Sequence, residues 1–124
     1  IISLFDSSIV LNQPSMDKFA ARVKPGGLLL YESGNIFKPA ERTDIDIVGI
    51  PATTEALLMK NAKIMNMIML GAYLKLKPVV KPGSILLALE KVLPEKYHYL
   101  LEINKQALDK GASMAMQQPE NTVA

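Results

Sequence analysis

The chain has 124 residues, 49% of them hydrophobic, with no cysteine, no tryptophan and a formal net charge of +2. Without cysteine it forms no disulfide, ligates no iron–sulfur cluster through its own thiolates and has no cysteine nucleophile. Basic and acidic side chains are mixed along the chain, so the sequence gives no electrostatic footprint for nucleic acid. The length predicts one domain at residues 1–116, followed by a polar tail at 117–124. No apolar run has the length of a membrane span, and we expect a cytoplasmic protein.

The chain opens with a predicted strand and helix. The apolar run at 8–11 is bounded by Asn12-Gln13-Pro14 and predicts a buried strand that ends in a loop. A helix should follow at once, since Met16, Phe19, Ala20 and Val23 recur at helical spacing. The segment Lys24-Pro25-Gly26-Gly27 should then end this helix with a cap and a turn.

Two further strands are predicted at residues 28–32 and 44–50. The first is an unbroken apolar run, which is typical of a parallel strand buried on both faces. The second alternates in its first half, so we expect it nearer an edge of the sheet. A loop at 33–43 separates the two strands.

The second half of the chain predicts helices only. Residues 52–59 should form a helix capped by a threonine, with Glu55 in its first turn. The segment 64–76 has apolar side chains on every side, so this helix should be covered all round, by a sheet and neighbouring helices or by a second subunit. Further helices are predicted at 85–93 and 94–110, the last one ending at Gly111. Together the elements predict a three-layer α/β fold with a mainly parallel central sheet and a helical C-terminal half.

The candidate ligand-binding residues lie where the predicted strands end. In an open parallel sheet, ligands bind beyond the carboxyl ends of the strands. Polar side chains in these loops are candidates for hydrogen bonds to a cofactor, and Ser15 could help to hold an anion at a helix N-terminus. The alternative is ordinary turn and cap chemistry, which these residue types perform in most proteins. The candidates for cofactor binding are Asn12, Gln13, Ser15, Ser33 and Thr53.

No catalytic or metal-binding constellation is visible. His98 is the sole histidine, and one imidazole without a nucleophile motif makes neither a triad nor a metal site. Asn66 interrupts the apolar helix, and a buried amide there should bond to a backbone group or to a partner across an interface. The candidate interface residues are Asn66, Met67, Met69 and Gly71, with adaptable packing as the alternative role of the methionines.

Several motifs occur in the order seen in one family. They are the strand ending in Leu11-Asn12-Gln13, the turn Lys24-Pro25-Gly26-Gly27 and the pattern Asn-Met-x-Met-Leu-Gly at 66–71. With these motifs the chain resembles the gamma subunit of the 2-oxoacid:ferredoxin (acceptor) oxidoreductases over about residues 6–111. It is most similar to the 2-oxoglutarate branch, ahead of the pyruvate and branched-chain enzymes. Family members begin with a glycine-rich strand–turn–helix that this sequence lacks, so we expect an N-terminally incomplete chain.

The resemblance implies a role in a multisubunit enzyme. Such enzymes decarboxylate a 2-oxoacid with thiamine diphosphate, pass electrons to ferredoxin and form an acyl-coenzyme A. Thiamine diphosphate would lie mainly in the alpha and beta subunits, and the iron–sulfur clusters in the beta subunit or a ferredoxin-like delta subunit, with no cofactor bound by this chain alone. The expected fold is that of the gamma domain of pyruvate:ferredoxin oxidoreductase. The alternatives are an independent nucleotide- or coenzyme A-binding domain and a structural oligomerisation module, and we expect the isolated chain to self-associate.

Overall fold

The sheet has three parallel strands, described by a computed structural model that covers residues 4–117. The strands are β1 (Phe5–Val10), β2 (Val23–Glu32) and β3 (Asp46–Ile50). Their order is β1-β2-β3, and both neighbouring pairs run parallel. The unbroken apolar runs therefore predicted parallel strands correctly, and β3 lies at one side of these three strands, as expected from its alternating start.

The connections and the C-terminal half are helical. Single 3₁₀ turns occur at Ala20–Arg22, Ala62–Ile64 and Glu95–Tyr97. The helices are α1 (Gln13–Phe19), α2 (Ala52–Leu58), α3 (Met65–Leu76), α4 (Pro82–Val92) and α5 (Leu100–Gln117).

Apolar side chains cover both faces of the sheet. Leu28, Leu30 and Ile50 point to one face, where they pack with residues of α2, α3 and α5. Val10 and Leu29 point to the other face, where they pack with α1 and with the loop between β2 and β3. Successive residues of a strand face opposite ways, so an unbroken apolar run supplies both layers. The predicted three-layer α/β fold is confirmed.

The structure differs from the prediction at residues 23–27. Val23 was expected to end the first helix, but it is the first residue of β2 and pairs with Phe5. The next pair along the ladder is Ser7 with Leu28, so residues 24–27 bulge out of β2. α1 already ends at Phe19, and Pro25, which has no N–H to donate to the ladder, lies in the bulge. Gly26 then takes a φ of 83°, a conformation that suits glycine.

Gly111 does not end the last helix, as the sequence had suggested. α5 runs through it to Gln117. Gly111 lies where α5 contacts α3. A Cβ atom at Gly111 would overlap the backbone carbonyl of Ile68, and one at Gly71 would overlap that of Leu108. The two glycines let these antiparallel helices approach until their backbones touch. α5 thus provides much of the cover that the apolar helix requires.

Candidate functional site

Glu32 is the centre of the carboxyl edge of the sheet. It ends β2, and its side chain is fully buried, the one buried charged residue in the described part of the chain. Its Oε1 accepts hydrogen bonds from the backbone N–H groups of Gly34, at 3.0 Å, and Thr53, at 3.1 Å. Its Oε2 has no hydrogen-bond partner within residues 4–117. One carboxylate therefore joins the loop after β2 to the start of α2.

A side chain from β2 bonds to the start of α2. The sequence predicted that a threonine would cap this helix, but the N-cap residue is Pro51, whose side chain cannot accept a hydrogen bond. Thr53 instead donates its N–H to Glu32, and its hydroxyl accepts a hydrogen bond from the Asn35 amide at 3.3 Å. The first N–H groups of a helix have no partner within the helix and need other acceptors. Glu32 supplies one of these acceptors, which the side chain of Pro51 cannot.

Asn12 and Ser15 form the cap of α1. The Asn12 side-chain oxygen accepts a hydrogen bond from the Ser15 N–H at 2.9 Å. This is the bond that an N-cap asparagine makes with the third residue after it. The geometry matches the alternative of turn and cap chemistry at this position.

Gln13 holds the long loop between β2 and β3. Its Oε1 accepts from the N–H groups of Phe37, at 3.1 Å, and Lys38, at 3.0 Å. Its Nε2 donates to the Lys38 carbonyl at 2.8 Å and to Asp17 at 3.0 Å. The side chain thus uses its whole amide on the protein, and it ties the loop to α1 over about 25 positions of sequence.

The five predicted cofactor-binding residues form two groups. Ser33 and Thr53 lie beside Glu32, and the Ser33 N–H donates to the Ile50 carbonyl at 2.9 Å. Asn12, Gln13 and Ser15 lie together at the start of α1. Cofactor binding by the five residues stays a prediction. Glu32, which organises the first group, was not predicted, although a charged residue at the end of an apolar run was a signal for it.

The four predicted interface residues differ in accessibility. Asn66 is exposed and Met67 is half-buried, whereas Met69 and Gly71 are buried inside the chain. The expectation of a buried amide at Asn66 is therefore wrong, because the exposed side of α3 carries it. A partner could contact Asn66 and Met67 directly, and an interface role for all four residues stays a prediction.

The loop of residues 33–45 is also pinned from its far end. Arg42 donates to the carbonyls of Ala20, at 2.9 Å, and Val23, at 2.6 Å, and it pairs with both oxygens of Asp44. The hydrogen bond from Arg42 lowers the pKa of Asp44 below its ordinary value, and the same bond raises the pKa of the guanidinium. The loop is thus held to α1 at Phe37 and Lys38 by Gln13, and Arg42 holds it to the 3₁₀ turn after α1 and to the first residue of β2.

Other site types have no support in the described part of the chain. His98 places Nε2 3.0 Å from the Leu93 carbonyl, so its ring holds the turn between α4 and α5. Among residues 4–117 no group of three or more histidine, aspartate and glutamate side chains could hold a metal ion. Across the same residues, none of the helices combines the length and hydropathy that a membrane crossing requires.

These features define a parallel α/β domain whose polar loops are held by hydrogen bonds to neighbouring elements. A family model for pyruvate ferredoxin/flavodoxin oxidoreductase matches residues 2–114. The chain belongs to this family.

Solved structures confirm the fold and the resemblance to gamma subunits. The gamma subunit of a keto/oxoacid ferredoxin oxidoreductase from Geobacter sulfurreducens superposes with a TM-score of 0.78 at 25% identity, over 91% of this chain and 65% of that one. The 2-oxoglutarate:ferredoxin oxidoreductase of Magnetococcus marinus gives 0.83 at 26% identity, over 95% of this chain and 21% of that one. Pyruvate oxidoreductase subunit PORC of Thermotoga maritima shares the fold, with a TM-score of 0.69 at 24% identity, over 91% of this chain and 65% of that one.

A curated relative matches a shorter part of the chain. Ketoisovalerate oxidoreductase subunit VorA of Methanothermobacter thermautotrophicus is 35% identical over 71 residues, which are 57% of this chain and 14% of that protein. The chain thus spans about a seventh of VorA and about two thirds of the G. sulfurreducens gamma subunit.

Proposed function

We propose that the chain is part of the gamma subunit of a 2-oxoglutarate (2-oxoacid):ferredoxin oxidoreductase. In the complex it supports the thiamine diphosphate-dependent oxidative decarboxylation of a 2-oxoacid to an acyl-coenzyme A, and it is not catalytic alone. The observation that carries the proposal is the similarity, over 95% of the chain, to the M. marinus enzyme that was solved with 2-oxoglutarate, coenzyme A and succinyl-CoA.

The chemistry of the side chains supports an accessory role. Iron–sulfur clusters are held mainly by cysteine thiolates, and the chain has no cysteine. At the carboxyl edge, the Oε1 atom of Glu32 and the amide of Gln13 are already bonded within the chain. The residues present do not fit an iron–sulfur cluster, and we assign the clusters and thiamine diphosphate to the alpha, beta and ferredoxin-like subunits. Ferredoxin is then the electron acceptor of the complex.

Reconstitution of the complex tests the proposal. The full-length gene product is co-expressed with the alpha and beta subunits encoded beside it, and the purified complex is assayed for 2-oxoacid-dependent reduction of ferredoxin with coenzyme A. We expect stable association and activity that needs the gamma subunit. Failure of the full-length protein to associate with subunits that bind thiamine diphosphate would refute the assignment.

A branched-chain 2-oxoacid is the second candidate substrate, since both VorA relatives are named as subunits of a ketoisovalerate oxidoreductase. The same complex, supplied in turn with 2-oxoglutarate, pyruvate and 2-oxoisovalerate, decides between the branches through kcat/KM. We expect 2-oxoglutarate to give the highest value.

An independent coenzyme A- or nucleotide-binding domain is the alternative in a different class. Calorimetry of the isolated protein with coenzyme A and with adenine nucleotides separates the two, because a subunit should bind them weakly or not at all when alone. Light scattering of the same sample tests the expected self-association, and a strictly monomeric species would contradict it.

A further inference from the structure

The least buried part of the domain is the segment of residues 75–105, which we name the basic hairpin. It comprises the end of α3, all of α4 and the start of α5. α4 is the one α-helix of the described chain for which no residue is buried. Its apolar residues Ile85, Leu86 and Leu89 are only half-buried, and its main contact is with α5. An amphipathic helix ordinarily buries its apolar stripe, so α4 has a surface still to be covered.

Exposed apolar side chains are concentrated on this hairpin. Of the twelve large hydrophobic residues exposed in the described chain, six lie between positions 79 and 99. Val92 is 74% exposed and Tyr99 is 72% exposed. Single exposed apolar residues are normal, whereas a cluster of them marks an interaction surface. The six are Val79, Val80, Leu87, Val92, Tyr97 and Tyr99.

A groove of about 260 Å³ runs between α4 and the start of α5. Leu86, Leu87 and Leu101 line it, and its charged lining residues are Glu90, Glu102 and Lys105. An apolar groove with a polar rim is the arrangement found in protein interfaces, where a buried centre is surrounded by charged side chains.

The charge of the hairpin indicates the chemistry of its partner. Residues 75–105 carry six lysines against three glutamates, an excess of +3, whereas the formal charge of the entire chain is only +2. All six lysines are exposed. The three glutamates are exposed too, so residues 75–105 present a net positive charge beside their exposed apolar side chains. Complementary potentials are typical of specific interfaces.

The solved relatives indicate what kind of molecule lies there. The same domain is a separate gamma subunit in the G. sulfurreducens structure, and it matches only 21% of a much larger chain in the M. marinus enzyme. The domain therefore occurs both as a separate chain and as a covalent part of a larger one. We propose that the basic hairpin docks on an apolar face with an acidic rim on a larger subunit of the same oxidoreductase complex. The inference rests on the proposed function and assigns its interface.

Co-purification from co-expressed subunits tests the apolar part of the surface. The double variant Val92→Asp with Tyr99→Asp adds two negative charges to side chains that are mostly exposed, so the subunit should still fold. At about 0.15 M salt we expect at least about a tenfold loss of the gamma subunit that co-purifies with a tagged alpha or beta subunit. Phe37→Asp is the matched control, since Phe37 is 93% exposed and lies on the loop at the other face of the sheet, and it should assemble like the wild type.

Charge reversal tests the basic part. Lys91→Glu with Lys96→Glu should slow association about tenfold and reduce its dependence on salt, because charged rims act mainly on the association rate. Lys38→Glu, on an exposed lysine of the loop between β2 and β3, is the control and should leave the rate unchanged. Circular dichroism and thermal unfolding show that each variant is folded.

The outcomes separate the two proposals. Assembly of the wild type together with undiminished assembly of the Val92/Tyr99 variant overturns the hairpin interface and leaves the gamma-subunit assignment intact. Equal loss in the Phe37 control also overturns the hairpin interface, because the effect would not be local. Absence of assembly in the wild type overturns the gamma-subunit assignment, and the hairpin interface falls with it.

Discussion

Replacing Gly71 by alanine should destabilise the protein, although alanine is the better helix former. In an ordinary helix interior the change stabilises by about 1 kcal/mol. At Gly71 the added methyl group would overlap the backbone carbonyl of Leu108, which is buried in α5. Neither atom can turn away as the end of a side chain could, so α3 and α5 must move apart.

The cost follows from the contact between the two helices. A separation of about 1 Å forfeits roughly a quarter to a half of the dispersion energy of the atoms that face each other. The buried side chains in this contact include Ile68, Ala72 and Ala107. The larger of these side chains contribute up to about 1.5–3 kcal/mol each. We estimate a loss of about 3–4 kcal/mol and, after the gain in helix propensity, a net destabilisation of about 2–3 kcal/mol.

Urea unfolding followed by circular dichroism measures this difference, provided that the slope of the transition stays constant. Gly83→Ala is the matched control, since Gly83 also lies in a helix but has nothing within 4 Å of its added Cβ. The control should be neutral or up to about 1 kcal/mol more stable. If Gly71→Ala behaves like the control, the close approach of α3 and α5 is not a determinant of stability and the reasoning is refuted.

Substitutions at three further positions test local features. Glu32→Leu should lower the free energy of unfolding by about 3 kcal/mol, measured with urea, because it leaves two backbone N–H groups without an acceptor. Glu32→Gln keeps that acceptor and should lower it less. Equal losses in the two variants would contradict this role of Glu32. Lys60→Gly should stabilise by about 1 kcal/mol, since Lys60 has a φ of 61° after α2, and a loss of stability would argue against that conformation. Because Arg42 lowers the pKa of Asp44, the stabilisation from this pair is complete above the ordinary aspartate value and is lost as the pH falls through the lowered one. Asp44→Asn should therefore flatten stability against pH below about pH 4, as measured by urea unfolding, and an unchanged acid profile would contradict the pairing.

Local patterns predicted the elements better than their ends. The run at 28–32 was assigned correctly because an unbroken apolar strand reports burial on both faces. Val23 was placed in the wrong element because its apolar spacing fits a helix as well as a strand. Gly111 was taken as a helix stop, because the sequence does not show that Ile68, more than 40 positions earlier, packs against it. The spacing of residues along a short segment cannot predict such contacts between distant segments.

The candidate site shows the same limit. The polar loops were located correctly from the rule for parallel sheets, and the cap at Asn12 follows from local chemistry. The partners of Gln13 lie on a loop about 25 residues later, so its bracing role was not visible. Glu32 was passed over because burial of its carboxylate depends on Thr53, which a different strand brings into place.

The two apolar cores on either side of the sheet are completed at different times during synthesis. Within residues 4–117, the core on the α1 face consists of side chains from positions 10–47, so all of them leave the ribosome before α2 does. The opposite core pairs Leu30 and Ile50 with residues as late as Ala115. At about 5–20 residues per second, roughly 3–13 seconds pass between the synthesis of Ile50 and that of Ala115. During synthesis, Leu30 and Ile50 therefore stay uncovered on their face of the sheet after Val10 and Leu29 can already be covered on the other.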